Sequence, residues 1–511
     1  MRGRDFVVAV RLHSKMIQVA FLHALVIVAG SLWLFDVVGC AALDTPVLRL
    51  WPLPRSLEEG GGRVAVAPDF TFSCESCPPL LEAAAERTRR FLVSQAVAGG
   101  EPALRSCTLA VVPQRASSGD ESYELYVSAD GGECSLVGGG LRGALHGLTT
   151  LRQSVEDGVL LAAPLRISDA PRFAYRGLLL DTARRFIPVP KILSTLDAMQ
   201  ATKLNVFHWH ICDAESFPLL LPEWPSLAAT AWHPAAVYSP ADVWLVIRHA
   251  AERGISVIPE IDLPAHGVWG RAFPELAACG DTIDPTQDAS FDLLARLLND
   301  VLDLFSSSDT IFLGGDEVDV SCFASNPRIA AWLDLHSASV DSLVPLFWRR
   351  MWAEVFPRLT QGRPGTPQRL MRVGVWLGSD MAVPLDELPS AAYINAWQPG
   401  ALAAAVDAGV PVVASSGLYL DTVALPPNCT RKEEDDEKDD VPPRPPCASR
   451  QACICRDMQI FFPRVHISAD ALLTQTRCSR RGPAFGAPTR LRSCPRAFST
   501  LRRTPTKITR C

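Results

Sequence analysis

The chain has 511 residues, 48 % of them apolar and 20 % charged, with a formal net charge of −6. That length suits about three domains of roughly 150 residues, or one small domain and a large barrel. The apolar share excludes a chain disordered throughout, and the small negative charge excludes a general nucleic-acid binder. The charge is unevenly held. Residues 424–511 carry 17 Lys/Arg against 9 Asp/Glu and seven of the fifteen cysteines, so the first 423 residues are the acidic part.

Arg2, Arg4, Arg11 and Lys15 precede an apolar run over 16–35, and Gly39, Cys40, Ala41 and Ala42 follow it. A basic start, an apolar stretch and then small residues read as a secretory leader over 1–43. The same run is long enough to stay uncleaved as a membrane anchor. Either way the rest of the chain is directed into the secretory pathway, to a lysosome or vacuole or to the exterior, where cysteines pair. Asn428 begins the only N-glycosylation sequon.

Residues 44–165 alternate short apolar runs with Gly, Pro and Ser breaks. Strands are expected at 63–67, 108–112 and 123–127 and helices at 79–95 and 141–155, which makes a small α+β domain. From 171 the rhythm becomes strand, loop, helix. Strands are expected at 175–180, 204–208, 255–260, 310–313, 373–376, 392–395 and 410–414. Helices are expected at 190–202, 240–253 and 291–305 and near 330 and 347. Seven such units with no glycine-rich phosphate turn favour a (β/α)8 barrel over 171–423 rather than a doubly wound sheet. No eighth strand is evident. After Asp421 come a charge run over 431–440 and a proline-rich 441–446. The tail over 424–511 reads as disordered, apart from an apolar stretch at 458–467.

In a barrel, catalytic groups gather at the C-terminal ends of the strands. Arg176 and Asp181 bracket the first strand; His208, His210 and Asp213 mark the second; Glu260, Asp262 and His266 the third; Asp316 and Glu317 the fourth. Trp376, Trp397 and Tyr419 with Asp421 mark the fifth to seventh. Carboxylates between aromatic walls suggest a sugar site, where ring faces cover the apolar sides of a pyranose. Adjacent residues on an extended segment point opposite ways. Asp316 and Glu317 therefore do not suit an acid and a nucleophile facing each other across one glycosidic bond. They suit a general acid beside a group that orients a nucleophile on the substrate itself, such as the carbonyl oxygen of a 2-acetamido sugar. The tryptophans also fit plain core packing, and His208, His210 and Asp213 could mimic a metal site.

The stretches 176–184 (RGLLLDTAR), 203–213 (KLNVFHWHICD) with 216–218 (SFP), and 314–318 (GGDEV) resemble the family 20 glycoside hydrolases, the β-N-acetylhexosaminidases. The stretches 50–54 (LWPLP) and 121–125 (ESYEL) resemble the small domain that precedes the barrel in that family. The resemblance covers about 48–423. It implies Glu317 as general acid/base, Asp316 on the acetamido N–H, Tyr419 on the acetamido oxygen, and Trp376 and Trp397 as pocket walls. It implies Arg176 and Asp421 on ring hydroxyls, with Asp213 and His266 supporting the site. It implies a Cys279–Cys322 disulfide, while Cys74 or Cys77 is expected to staple the small domain to Cys107. No metal or cofactor is implied. The implied partners are N-acetylhexosamine-terminated glycans or chitin oligomers, with no nucleic acid, no membrane unless the leader stays uncleaved, and a homodimer as an open assembly.

The family's eighth strand carries a Trp-x-Glu segment, yet no Trp follows Trp397 and no Glu follows Glu437. The expectation is a reading that departs from the family near 424 or a truncated product, with 458–467 as a substitute strand. The alternative function is a sugar-binding homologue with impaired catalysis.

Overall fold

The computed structural model describes residues 48–96, 102–112, 119–362, 368–369, 371–378 and 384–420. The leader, Asp421, Asn428 and the tail lie outside the described residues. The chain divides into two compact units: Met1–Leu313 with Val320–Met371, and Gly314–Asp319 with Arg372–Cys511. Among the described residues no helix is long and apolar enough to cross a membrane.

The first unit opens with a six-stranded sheet of β1 (Ser56–Ser73), β2 (Ala103–Val111), β3 (Tyr123–Val127), β4 (Cys134–Gly138), β5 (Val155–Glu156) and β6 (Val159–Asp169). The spatial order is β1-β2-β4-β3-β6-β5, and β1 also pairs with β6. β1 is far longer than the expected 63–67 because it changes partner along its length. Its first half runs antiparallel to β6 and its second half parallel to β2. The register shifts at Gly62, where a Cβ would stand 2.7 Å from the Ala163 carbonyl oxygen. Only glycine admits that approach. β6 was not legible because Pro164 interrupts its apolar run; the structure puts Pro164 in the skipped step of that shifted ladder. Helices Pro79–Gln95 and Leu141–Gln153 lay Leu81, Leu92, Leu145 and Leu148 against Val64, Val66, Leu104 and Leu136.

The same unit continues with parallel strands β7 (Gly177–Asp181), β8 (Val206–His210), β9 (Ser256–Glu260) and β10 (Thr310–Phe312). Every residue of β8 and β10 is buried, as expected of parallel strands covered on both faces. β7 has one strand neighbour among the described residues, and Leu179 on it is 38 % exposed. The second unit holds the parallel strands β11 (Arg372–Leu377), β12 (Ala392–Ala396) and β13 (Val412–Ala414).

Strands β8, β9 and β13 each start one or two residues later than expected, and the cause is shared. Lys203, Gly254 and Gly409 have φ of 58°, 73° and 71°. The next N–H in each case bonds the carbonyl five residues back, as Leu204 to Met199, Ile255 to Ala250 and Val410 to Ala405. These are Schellman closures of the preceding helix, and they consume the residues assigned to the strand start. Lys203 takes this conformation without being glycine, and its buried Nζ is 2.9 Å from the Tyr123 hydroxyl and 3.3 Å from Asp169.

The cysteine pairing corrects the expectation for the small domain. Cys74 is bonded to Cys77, and Cys107 to Cys134. Cys107 and Cys134 point into the core from the paired strands β2 and β4, whereas Cys74 is exposed past the end of β1. Cys279 is bonded to Cys322.

A buried polar cluster ties the small domain to the N-terminal ends of β7 and β8. The Glu121 carboxylate accepts from Asn205 Nδ2 at 2.7 Å, from His146 Nε2 at 2.8 Å and from the Arg176 guanidinium. Burial alone would raise this carboxyl; the His146 and Arg176 hydrogen bonds instead hold it down to about 2, from an ordinary 4.5. A lowered native value stabilises the fold above the unfolded value and is lost as pH falls toward the folded one. A difference of that size is worth on the order of 3 kcal/mol. The unfolding midpoint in urea should therefore drop between pH 5 and pH 2. Glu121→Gln should lower the midpoint at pH 7 and flatten that drop; an unchanged slope would show that Glu121 is not the titrating group.

Candidate active site

At the C-terminal end of β7, Asp181 folds the chain back on itself. Its Oδ1 accepts the N–H groups of Ala183 and Arg184, each at 3.0 Å, and its Oδ2 accepts Arg184 Nη1 at 2.9 Å. The second Arg184 nitrogen lies 2.5 Å from Asp213 Oδ2, beyond the end of β8. The Arg184 side chain remains 48 % exposed. Asp213 is buried and accepts from His210 Nε2 at 3.0 Å, from the Ala214 N–H at 2.6 Å and from His266 Nδ1 at 3.3 Å. Burial would raise the Asp213 carboxyl; the bonds from His210 and His266 and the Arg184 charge hold it well below the usual carboxylate range. Asp213 thus fixes Arg184 on one side and the His266 ring on the other.

Beneath this layer lies a buried chain of imidazoles and carboxylates. Glu260 sits between His208 Nε2 at 2.9 Å and His210 Nδ1 at 2.8 Å. Burial would lower the His210 pKa, but the Glu260, Asp262 and Asp213 carboxylates raise it well above the ordinary value. Both His210 ring nitrogens face carboxylates, Nδ1 toward Glu260 and Nε2 toward Asp213. His210, Asp213 and Asp262 have a spacing that could hold a cation; within the set His210 Nε2 hydrogen-bonds Asp213 at 3.0 Å.

Arg176 corrects the expectation for the sugar-hydroxyl contact. It stands ahead of β7, at the opposite end of the strand from Asp181. Its Nε donates to the Lys203 carbonyl at 3.0 Å, its Nη1 to the Phe173 carbonyl at 2.7 Å and its Nη2 to Glu121. These contacts are structural. The arginine that stands past the C-terminal end of β7 is Arg184, eight positions on in the same motif. The signal for it was the Asp181-Thr182-Ala183-Arg184 spacing past the strand end, where an Asx turn presents the fourth residue outward.

In the second unit, the segment after β10 is Gly314-Gly315-Asp316-Glu317, with φ of 69° at Gly314, 111° at Gly315 and 52° at Glu317. The premise of an extended Asp316–Glu317 pair is thereby overturned, because Glu317 sits in the left-handed region that a non-glycine residue enters at a cost. Its side chain is exposed and that of Asp316 half-buried. The Trp376 N–H on β11 donates to the Gly314 carbonyl at 2.9 Å, which ties the turn to that strand. Trp376 is buried at 9 % exposure. Trp397, half-buried, follows β12, with its N–H 3.3 Å from the Leu377 carbonyl. Tyr419 follows β13 and is 44 % exposed.

Residues 173–441 match the model of the glycosyl hydrolase family 20 catalytic domain, and residues 47–170 match that of family 20 domain 2. The chain belongs to glycosyl hydrolase family 20. The catalytic-domain match runs past the expected boundary at 423. Beta-hexosaminidase 3 of Arabidopsis thaliana is 33 % identical over 341 residues, covering 61 % of this chain and 62 % of its own length. A chitooligosaccharidolytic beta-N-acetylglucosaminidase of Bombyx mori is 36 % identical over 294 residues, covering 51 % of this chain and 49 % of its own. A Flavobacterium johnsoniae chitobiase structure superposes with a TM-score of 0.62 at 26 % identity, over 74 % of this chain and 60 % of that one. The family 20 chain thus spans less than two thirds of each of these relatives. Its fold is an α/β barrel preceded by a small α+β domain.

Proposed function

We propose that the chain is an exo-acting, retaining β-N-acetylhexosaminidase. It removes terminal β-linked N-acetylglucosamine or N-acetylgalactosamine from glycans or chitin oligomers, with the substrate's own acetamido oxygen as nucleophile. The observation that carries this reading is the Asp316-Glu317 pair directly after a barrel strand, within a family 20 catalytic domain. Glu317 protonates the departing glycosidic oxygen while the acetamido oxygen attacks the anomeric carbon from the opposite face. Asp316 accepts the acetamido N–H and offsets the positive charge of the cyclic intermediate. Glu317, now a carboxylate, takes a proton from the water that opens that ring, so two inversions leave the configuration unchanged.

Tyr419 donates to the acetamido oxygen, and Trp376 and Trp397 wall its pocket. Arg184 donates to ring hydroxyls, with Asp421 as a further hydroxyl partner. Asp213 and His266 are positioning residues. The three disulfides among the described residues support passage through an oxidising compartment, whether a lysosome, a vacuole or the exterior.

The test is hydrolysis by the full chain. An aryl N-acetyl-β-D-glucosaminide should be cleaved and the matching aryl β-D-glucoside, which lacks the nucleophile, should not. Equal rates on both would remove the acetamido group from the mechanism.

A further inference from the structure

We infer that the Cys74–Cys77 disulfide is an exchange site for small thiols, at which an incoming thiol bonds to Cys74 and releases Cys77. It lies in the small domain and does not depend on the hexosaminidase reading. The three disulfides among the described residues differ in what they hold. Cys107–Cys134 and Cys279–Cys322 join residues 27 and 43 positions apart, whereas Cys74–Cys77 spans only 3. The constraint that a disulfide places on the unfolded chain grows with the loop it closes, so Cys74–Cys77 is the weakest staple of the three.

Nor is the bond needed to hold its own segment in place. Ser73, directly before it, pairs with Thr108 in the β1–β2 ladder, and their hydroxyls are 3.3 Å apart. The helix Pro79–Gln95, which follows, is anchored by buried Leu81, Ala84, Ala85 and Leu92. Both ends of the connection are fixed without the bond, which can therefore open while the domain stays folded.

Access singles out the same bond. Exchange requires a thiolate to reach a disulfide sulfur. Cys107 and Cys134 are 0 % and 6 % exposed, Cys279 and Cys322 are half-buried, and Cys74 is exposed.

The exchange is also directional. Half-buried Cys77 immediately precedes Pro78, the N-cap of a 17-residue helix whose start has no side-chain cap. A helix N-terminus favours negative charge and stabilises a thiolate, and a stabilised thiolate leaves faster. The incoming thiol loses its proton to solvent, and its sulfur bonds to Cys74 Sγ. The Cys74–Cys77 bond breaks, and its electron pair leaves on Cys77 Sγ. Cys77 can then attack the mixed disulfide, which reforms the bond and expels the small thiol. Exposed Glu75 between the cysteines and Glu82 in the first helical turn make the surroundings acidic, which suits a thiol carrying positive charge.

The experiment exposes the full oxidised chain to cysteamine, blocks free thiols at intervals and maps the cysteines by mass spectrometry. Cys74–Cys77 should open at least about ten times faster than Cys279–Cys322, with Cys107–Cys134 closed throughout. The cysteamine adduct should sit on Cys74, and circular dichroism should not change. In Cys77→Ser, which lacks the resolving sulfur, an adduct formed on Cys74 from cystamine should persist after the reagent is removed; in wild type the adduct should resolve. Opening of Cys74–Cys77 no faster than Cys279–Cys322 would overturn the assignment. So would an adduct on Cys77, or loss of folded structure as the bond opens.

Discussion

Glu317→Gln should lower kcat on chitobiose about 10³-fold, within the range that a positioned general acid contributes. The amide keeps the size of the carboxyl and fits the same left-handed turn, so thermal stability should be nearly unchanged. It cannot deliver a proton to a sugar alkoxide, which leaves poorly without one. A nitrophenolate departs unprotonated, so on an aryl substrate the deficit in the first step should shrink by at least tenfold. Steady-state kinetics on the two substrates check this. Equal deficits on both would place the acid elsewhere.

The second large effect separates two arginines of one motif. Arg184→Ala should reduce kcat/KM by about ten- to a hundredfold, the cost of a lost charged hydrogen bond to substrate, and should lower the melting temperature only slightly. Asp213 would still keep the His210, His266 and Ala214 bonds. Arg176→Ala should do the reverse. It leaves the 5 %-exposed Glu121 carboxylate without its strongest cation, a change that costs about 3–5 kcal/mol in buried pairs. The melting temperature should fall steeply, while KM in the folded fraction stays put. Loss of substrate affinity in Arg176→Ala without loss of stability would restore the original assignment.

Both arginines lie in one nine-residue stretch, and choosing between them marks where the sequence stopped being informative. The order of strands and helices was legible because parallel strands buried on both faces read as apolar runs, as in Val206–His210 and Thr310–Phe312. Which end of a strand a polar residue occupies was not legible for Arg176. Its partners Glu121 and His146 belong to the other domain, 55 and 30 residues earlier, and no local pattern reports them. Arg184 needed the Asp181 turn to be seen in three dimensions. The Glu317 backbone was likewise hidden, since Gly314 and Gly315 announce a turn but not that the next-but-one residue shares the left-handed region. The Cys107–Cys134 bond follows from the β2–β4 pairing, and strand β4 was hidden because it lies between Gly131-Gly132 and Gly138-Gly139-Gly140, which read as loop. The shifted starts of β8, β9 and β13 follow from helix closures that a strand-based reading does not count.

The proposed mechanism retains configuration through the substrate's acetamido group, with Glu317 serving as both acid and base. Following the anomeric protons by NMR during early hydrolysis of an aryl N-acetyl-β-D-glucosaminide tests it most directly. The β-anomer of N-acetylglucosamine should appear first and only later equilibrate to the α-anomer. First appearance of the α-anomer would mean a single displacement by water and would contradict the mechanism proposed for Asp316 and Glu317.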